Sequence, residues 1–144
     1  MDIETVEPIS PAEAARRNSE ERRLNDLART EMGEKGRLVA TQGIVALEFL
    51  DRRTLCRAIQ AFDFWDEGDD PYGVHDFGCL YGTGPSGDIA WSAEGTDTEE
   101  DPFAGIKVFW KIDVYAKDMV HGAERPWVEG ESVRVLTIML ASEY

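Results

Sequence analysis

The chain has 144 residues, of which 42% are hydrophobic, enough for one domain with its own core. It has 29 acidic and 15 basic residues, for a formal net charge of −14. Twelve acids and no Lys or Arg lie in residues 61–104, called here the acidic segment, while the rest of the chain is close to neutral. Direct nucleic-acid binding by the acidic segment is excluded, because such binding depends on Lys and Arg that neutralise phosphates.

The sequence also excludes several other classes of protein. No apolar run approaches the ~18 residues of a membrane span, and the first ten residues lack the basic and apolar regions of a signal peptide. Cys56 and Cys79 are therefore expected to be reduced thiols in a cytoplasmic protein. Their spacing matches no zinc site, so we expect no metal and no cofactor.

The first predicted element is a helix from Ser10 to about Met32, because Ser10-Pro11-Ala12-Glu13 combines an N-cap, an N1 proline and a capping box. Residues 16–23 are almost wholly polar, so the ordered helix has an alternative start at Asn18 or Ser19. We therefore treat residues 1–18 as a polar extension, partly helical or flexible, and residues 19–144 as a single domain. One functional hypothesis is that this polar helix mediates self-association, and the sequence leaves the oligomeric state open.

The middle of the chain alternates strand and helix patterns. Residues 36–45 are rich in branched side chains and predict a strand, and residues 47–64 have helical spacing of apolar side chains. Asp51, Arg52, Arg53 and Arg57 are expected on the solvent face of that helix. Residues 75–81 predict a second strand. Residues 82–105 are largely irregular, with a possible short strand at 89–91.

The clearest strand covers residues 106–115, where Ile106, Val108, Trp110, Ile112 and Val114 alternate with more polar side chains. Residues 117–132 predict a loop. Residues 133–144 fit both a strand and a helix, and we favour a helix. The fold class expected is α+β, with a small antiparallel sheet of three to four strands and two or three helices packed on one face.

Three segments carry a resemblance to a known family. They are Asp69-Asp70-Pro71-Tyr72-Gly73-Val74-His75-Asp76-Phe77-Gly78, Val108 to Tyr115 and Arg134 to Tyr144. In this order they resemble an uncharacterised family of small bacterial proteins, a domain of unknown function that is frequent in alphaproteobacteria and often encoded on plasmids and other mobile elements. The helix containing Leu24-Asn25-Asp26 and the strand beginning Gly36-Arg37-Leu38-Val39 fit the same pattern. Relatives usually have Glu at the position of Val74 and lack the acidic insertion at 84–104.

The stretch Gly82-Thr83-Gly84-Pro85-Ser86-Gly87 matches G-x-G-x-x-G. A dinucleotide site needs those glycines between a strand and a helix, whereas here an acidic, glycine-rich stretch follows. Pro85 in the centre favours a turn.

One possible site is small and polar. His75 and Asp76 could form a metal- or ligand-binding enzyme site with Lys111 and Asp113, if the two strands that carry them pair. We favour structural roles, because neighbouring strand residues point to opposite faces and cross-strand charge pairs are ordinary sheet stabilisers. An enzyme is thus the alternative hypothesis.

Our leading hypothesis is a non-enzymatic binding protein that uses its acidic surface to engage a basic host protein, possibly one that binds nucleic acid. An inhibitor of the anti-restriction or anti-CRISPR type would fit the mobile-element association implied by the resemblance. The competing explanation is that the acidic segment only keeps the protein soluble. The residues expected to bind the partner are Asp66, Glu67, Asp69, Asp70, Trp91, Glu94, Asp97, Glu99, Glu100 and Asp101.

Overall fold

A computed structural model describes residues 8–94 and 105–144. Three helices and five strands are present in these ranges, together with two short 3-10 helices at Glu129–Glu131 and Ala141–Glu143. In chain order the elements are α1 (Pro11–Thr30), β1 (Arg37–Ala40), α2 (Gln42–Val45), α3 (Phe49–Gln60), β2 (Phe77–Thr83), β3 (Ala90–Ser92), β4 (Ile106–Ala116) and β5 (Ser132–Leu140).

The strands form one sheet in the order β1-β5-β4-β2-β3. β1 pairs with β5 in parallel, and the remaining pairs are antiparallel. The α+β class is therefore confirmed, but the sheet is mixed and has five strands, where we predicted three to four antiparallel ones.

The main error is the helix favoured for residues 133–144. β5 occupies Ser132–Leu140 and pairs with β4 on one side and β1 on the other, so it lies inside the sheet. Leu136 and Ile138 are buried on one face, and Met139 is buried on the other. The outer face also carries the apolar Val133 and Val135, so the sequence lacks the simple alternation of a half-buried strand and its apolar residues also fit a helical period.

The N-terminal helix begins where the capping signal predicted. The side chain of Ser10 accepts a hydrogen bond from the backbone N–H of Glu13 at 3.1 Å, and Pro11 is the first helical residue. The alternative start at Asn18 or Ser19 is wrong, because α1 runs unbroken to Thr30 across our boundary at residue 18. Pairs such as Glu13–Arg16 support this exposed first half.

The strand predicted for residues 36–45 is shorter than expected. β1 ends at Ala40, and Gln42–Val45 form the short helix α2. The carboxylate of Glu143 accepts hydrogen bonds from the Thr41 hydroxyl at 2.6 Å and the Gly43 N–H at 3.0 Å. These bonds hold the pKa of Glu143 below its usual range. A contact about 100 residues away along the chain thus fixes the turn from β1 into α2.

The core lies between the helices and one face of the sheet. Val108, Trp110 and Ile112 of β4 are buried on this face, while the intervening Phe109 and Lys111 are half-exposed on the opposite, outer face. The helices contribute Ala28, Ile44, Leu55 and Ile59 to the same apolar cluster. Placing all the helices on one side agrees with the predicted layering.

The glycine-rich motif forms a turn, as predicted. It connects β2 to β3, and the N–H of Asp88 donates to the carbonyl of Pro85 at 2.9 Å. Our expectation that Asp51 faces solvent is wrong, since its exposure is 1%. The Asp51 carboxylate accepts hydrogen bonds from the N–H groups of Gly87 at 2.6 Å and Ile89 at 3.0 Å, and so anchors the hairpin to α3.

The two cysteines do not form a disulfide bond with each other. Cys79 lies opposite Phe109 on the outer face of the sheet, whereas Cys56 lies on α3 and packs against the core on the other side. No helix within residues 8–94 and 105–144 is long and apolar enough to cross a membrane.

Replacing Asp51 with Ala leaves the buried N–H groups of Gly87 and Ile89 without acceptors. We expect the free energy of unfolding to fall by about 2–4 kcal/mol, since hydrogen bonds to a buried charged group contribute about 1.5–3 kcal/mol each and are not additive. Urea denaturation monitored by circular dichroism measures the change. The matched control Arg53→Ala, on the exposed side of the same helix, should change stability by less than about 0.5 kcal/mol.

Candidate functional site

The loop between α3 and β2 carries the first group of candidate residues. One of them, His75, lies near the end of this loop, just before β2. The imidazole stacks on the indole of Trp65 with ring centroids 3.7 Å apart and planes within 4°. Its Nδ1 lies 2.9 Å from a carboxylate oxygen of Asp26, and its backbone N–H donates to Asp70 at 3.1 Å. The backbone of His75 has φ +58°, a left-handed conformation that is uncommon without glycine and is held here by these contacts.

Helix α1 holds the same loop through three side chains. Arg22 donates to the carbonyl of Gly73 at 3.2 Å, and Asn25 donates to the carbonyl of Val74 at 2.9 Å. With the Asp26–His75 contact, these bonds join one stripe of α1 to three consecutive loop residues. We call this set of contacts, made by Arg22, Asn25 and Asp26 to residues 73–75, the α1 clamp.

Two buried arginines connect the α1 clamp to the rest of the molecule. Arg134 of β5, 5% exposed, donates from Nε to the side-chain oxygen of Asn25 at 2.7 Å. Arg29, also 5% exposed, donates to the carbonyls of Ile59 and Gln60 at the end of α3 and to Asp26. Helix α1, the end of α3, the loop and β5 are therefore joined by one polar network beneath the surface.

Burial also sets the ionisation of groups beside this network. Desolvation raises the pKa of Asp76, and the nearby carboxylates of Asp70 and Asp113 raise it further. Burial likewise raises the pKa of Glu21, and it lowers the pKa of Arg134. The cause is the same in each case, because low polarity disfavours the charged form.

The four side chains of the alternative enzyme site do not converge. The ring of His75 lies on the helix-covered side with Trp65, which contacts Trp110 edge-on at 5.9 Å. Lys111 and Asp113 lie on the outer face and pair with each other at 3.0 Å. Within the described ranges, no three His, Cys, Asp or Glu residues are grouped so that they could hold a metal ion.

The residues expected to bind a partner divide into three groups. Asp66, Glu67 and Asp69 are exposed, and Asp66 accepts the N–H of Asp69 at 2.7 Å in a turn. Glu94 is exposed just after β3. Asp97, Glu99, Glu100 and Asp101 lie outside the described residues.

Two members of that set need correction. Asp70 is buried, and its carboxylate is occupied by the backbone of His75, so it belongs to the loop and not to an exposed acidic surface. Trp91 is half-buried, and its indole N–H donates to the backbone carbonyl of Asp51 at 3.2 Å and the hydroxyl of Thr54 at 3.1 Å. Its indole N–H therefore connects β3 to α3.

The remaining acids lie in the loops of the acidic segment. This segment includes β2 and β3, which form one end of the sheet, and the loops that lead into and out of them. Within the described part of this segment, we define the acidic edge as its exposed carboxylates. They are Asp63, Asp66, Glu67, Asp69, Asp88 and Glu94.

Fold and site together define a two-layer α+β domain with a helix-covered face, a half-buried outer face and a partly buried polar network around one loop. Residues 40–143 match the family described as "Protein of unknown function (DUF3768)". The match spans more than half of the chain, so the chain belongs to this family, as the resemblance indicated. No curated protein and no solved structure matches the chain.

Sequence reasoning missed the residues of α1 that hold the loop. Arg22, Asn25, Asp26 and Arg29 follow the i, i+3, i+4, i+7 spacing of a buried helix stripe. We assigned them no role in the core from the sequence, because charged residues are rarely buried unless they are paired. The spacing of the polar residues was the available signal.

Replacing Asn25 with Ala removes the partner of both Arg134 Nε and the carbonyl of Val74. We expect a loss of about 2–4 kcal/mol in the free energy of unfolding, because buried polar groups without partners cost about 1–3 kcal/mol each. Chemical denaturation measures it. The matched control Arg23→Ala, exposed on the same helix, should lie within about 0.5 kcal/mol of the unmodified protein. An unchanged denaturation midpoint for Asn25→Ala would show that the polar network does not stabilise the fold.

The raised pKa of Asp76 makes its ionisation unfavourable in the folded state. Its contribution to stability is therefore most favourable at low pH and is lost as pH rises above the ordinary range of an aspartate. We expect Asp76→Asn to gain stability relative to the unmodified protein between about pH 3 and pH 7. Thermal melts across this range, with the exposed Asp63→Asn as control, measure the difference. A relative loss on going to pH 7 would contradict the assignment.

Proposed function

We propose that this protein is a non-enzymatic binding protein whose acidic edge engages a basic partner that handles nucleic acid. The observation that carries the proposal is that all six carboxylates of the acidic edge are exposed and none forms an ion pair with another described residue. Lys107 offsets part of the charge of Asp69, and most of the negative charge of the acidic edge remains. Uncompensated charge of one sign attracts a surface of the opposite sign and accelerates encounter with it.

The chemistry of the acidic edge indicates the class of partner. A row of carboxylates offers negative charge to the same Lys and Arg side chains that contact phosphates. A protein bound in this way competes with nucleic acid for a basic cleft, so the expected consequence is inhibition. The mobile-element association of the resemblance supports an inhibitor of host defence, of the anti-restriction or anti-CRISPR type.

The alternative of an enzyme centred on His75 has less support. It requires His75 and Asp76 to share a site with Lys111 and Asp113, and the outer-face pair is separated from the His75 ring by the sheet. The contacts of His75 with Trp65, Asp26 and Asp70 account for its position.

The test is affinity capture from host lysate, followed by measurement of the isolated complex. We expect the captured protein to be basic and to bind nucleic acid, and the complex to weaken as salt rises, because exposed charges are screened. Adding the protein should displace nucleic acid from the partner. A complex that is insensitive to salt, or one that leaves nucleic-acid binding intact, would contradict the proposal.

A charge-neutral variant assigns the interaction to the acidic edge. Asp66→Asn, Glu67→Gln and Asp69→Asn together remove three exposed charges, and Asn at position 66 can still accept the turn hydrogen bond. We expect roughly tenfold weaker binding, as about 0.5 kcal/mol per exposed charge would give. The matched control neutralises three exposed acids elsewhere by Glu34→Gln, Glu124→Gln and Glu129→Gln, and should retain affinity. If the two variants weaken binding equally, the net charge of the protein, and not the acidic edge, is responsible for the affinity.

A further inference from the structure

At the end of the sheet formed by β1, a groove lies between this edge strand and helix α3. It has a volume of about 610 Å³, within the range typical of ligand sites. Leu38, Ala40 and Ile138 line it from the sheet, and Phe49 and Cys56 line it from α3. Its floor is therefore apolar. We call it the β1–α3 groove.

Two of the large apolar side chains that line this groove are exposed. Leu38 is 43% exposed and Phe49 is 65% exposed. They lie on its two sides, one on β1 and the other on α3. Exposed apolar side chains that line one groove mark an interaction surface more often than single scattered residues do.

The outer edge of β1 offers main-chain hydrogen bonds to a partner. β1 pairs only with β5, so it ends the sheet among the described residues. The N–H of Thr41 donates to the carbonyl of Ile138 at 3.1 Å. Since successive residues of a strand direct their N–H and C=O groups to alternate sides, those of Leu38 and Ala40 face the open edge.

The rim of the groove is basic. Arg52, Arg53 and Arg57 line it, and none of them forms an ion pair with a described residue. The Nε atom of Arg52 is buried and has no hydrogen-bond partner within the described ranges, while its guanidinium lies over the ring of Phe49 at 6.0 Å. Three uncompensated arginines in a chain of charge −14 form a local exception that suits an acidic ligand.

We propose that the β1–α3 groove binds an extended peptide segment with acidic and branched apolar side chains, which joins the sheet as an additional strand beside β1. Main-chain bonds to Leu38 and Ala40 hold the peptide, and alternate side chains enter the apolar floor. Its carboxylates pair with the arginines of the rim. This site has a lining different from the acidic edge, for which we propose a partner of the opposite charge.

A peptide suits this groove better than nucleic acid does. The four residues of β1 present an edge of roughly 13 Å at about 3.3 Å per residue, enough for about four peptide residues. Branched apolar side chains can fill the floor, whereas phosphates would meet an apolar surface on a strongly acidic protein.

The experiment uses the full chain and a display library of random octapeptides. We expect selected peptides to be enriched in Asp or Glu together with Val, Ile or Leu, and a labelled member to bind in fluorescence polarisation. Arg53→Glu with Arg57→Glu should weaken that binding at least tenfold. The matched control Arg23→Glu with Lys117→Glu makes the same change in net charge at exposed positions away from the groove, and should change affinity less than twofold.

Hydrogen exchange on the unmodified protein tests the strand addition without relying on any variant. The bound peptide should slow exchange of the Leu38 and Ala40 amides selectively, because strand pairing protects the N–H groups on the open edge. The proposal is overturned by a library that yields no acidic–apolar enrichment, by binding that survives Arg53→Glu with Arg57→Glu, or by protection that falls elsewhere. It is also overturned if a single-stranded oligonucleotide binds in the groove and the selected peptides do not.

Discussion

The fold depends on the α1 clamp, in which one stripe of a mostly polar helix holds the loop before β2. Asn25 is fully buried and joins Val74 of this loop to Arg134 of β5, and Asp26 joins His75 to Arg29. These contacts connect segments that are far apart in sequence, and each buried polar group relies on the others for a partner. The left-handed backbone of His75 and the stacking of its ring on Trp65 follow from the same constraint.

Side chains of the segments that carry the family resemblance have structural roles in and around the α1 clamp. Asp70, His75 and Arg134 all lie within the matched family range, and their side chains are engaged in internal contacts, while Asn25 and Asp26 come from the helix that precedes it. The exposed surfaces that remain include the carboxylates of the acidic edge and the β1–α3 groove, whose apolar floor has a rim of three arginines. This arrangement suits a protein that contacts two partners of different chemistry.

Much of the fold was predictable from local pattern. Capping chemistry identified the start of α1, and simple alternation identified β4 because only one of its faces is covered. Errors arose where distant contacts decide the outcome. β5 has apolar side chains on both faces and so lacks alternation in sequence, and α2 forms where Glu143 binds the backbone of Gly43. Asp51 looked like a surface residue because its hairpin partners lie more than 30 residues away. For the site, the segment containing His75 was identified, but its partners were not, because spacing along one chain does not show which distant side chains meet.

The central claim is that the loop containing His75 is held by mutual side-chain contacts with α1. A double-mutant cycle tests it most directly, with Asp26→Asn, His75→Gln and the double variant compared by equilibrium unfolding. The account predicts a coupling energy of about 0.5–3 kcal/mol between the two positions, as expected for residues in one hydrogen-bonded network. Additive effects, with no coupling beyond about 0.3 kcal/mol, would contradict it.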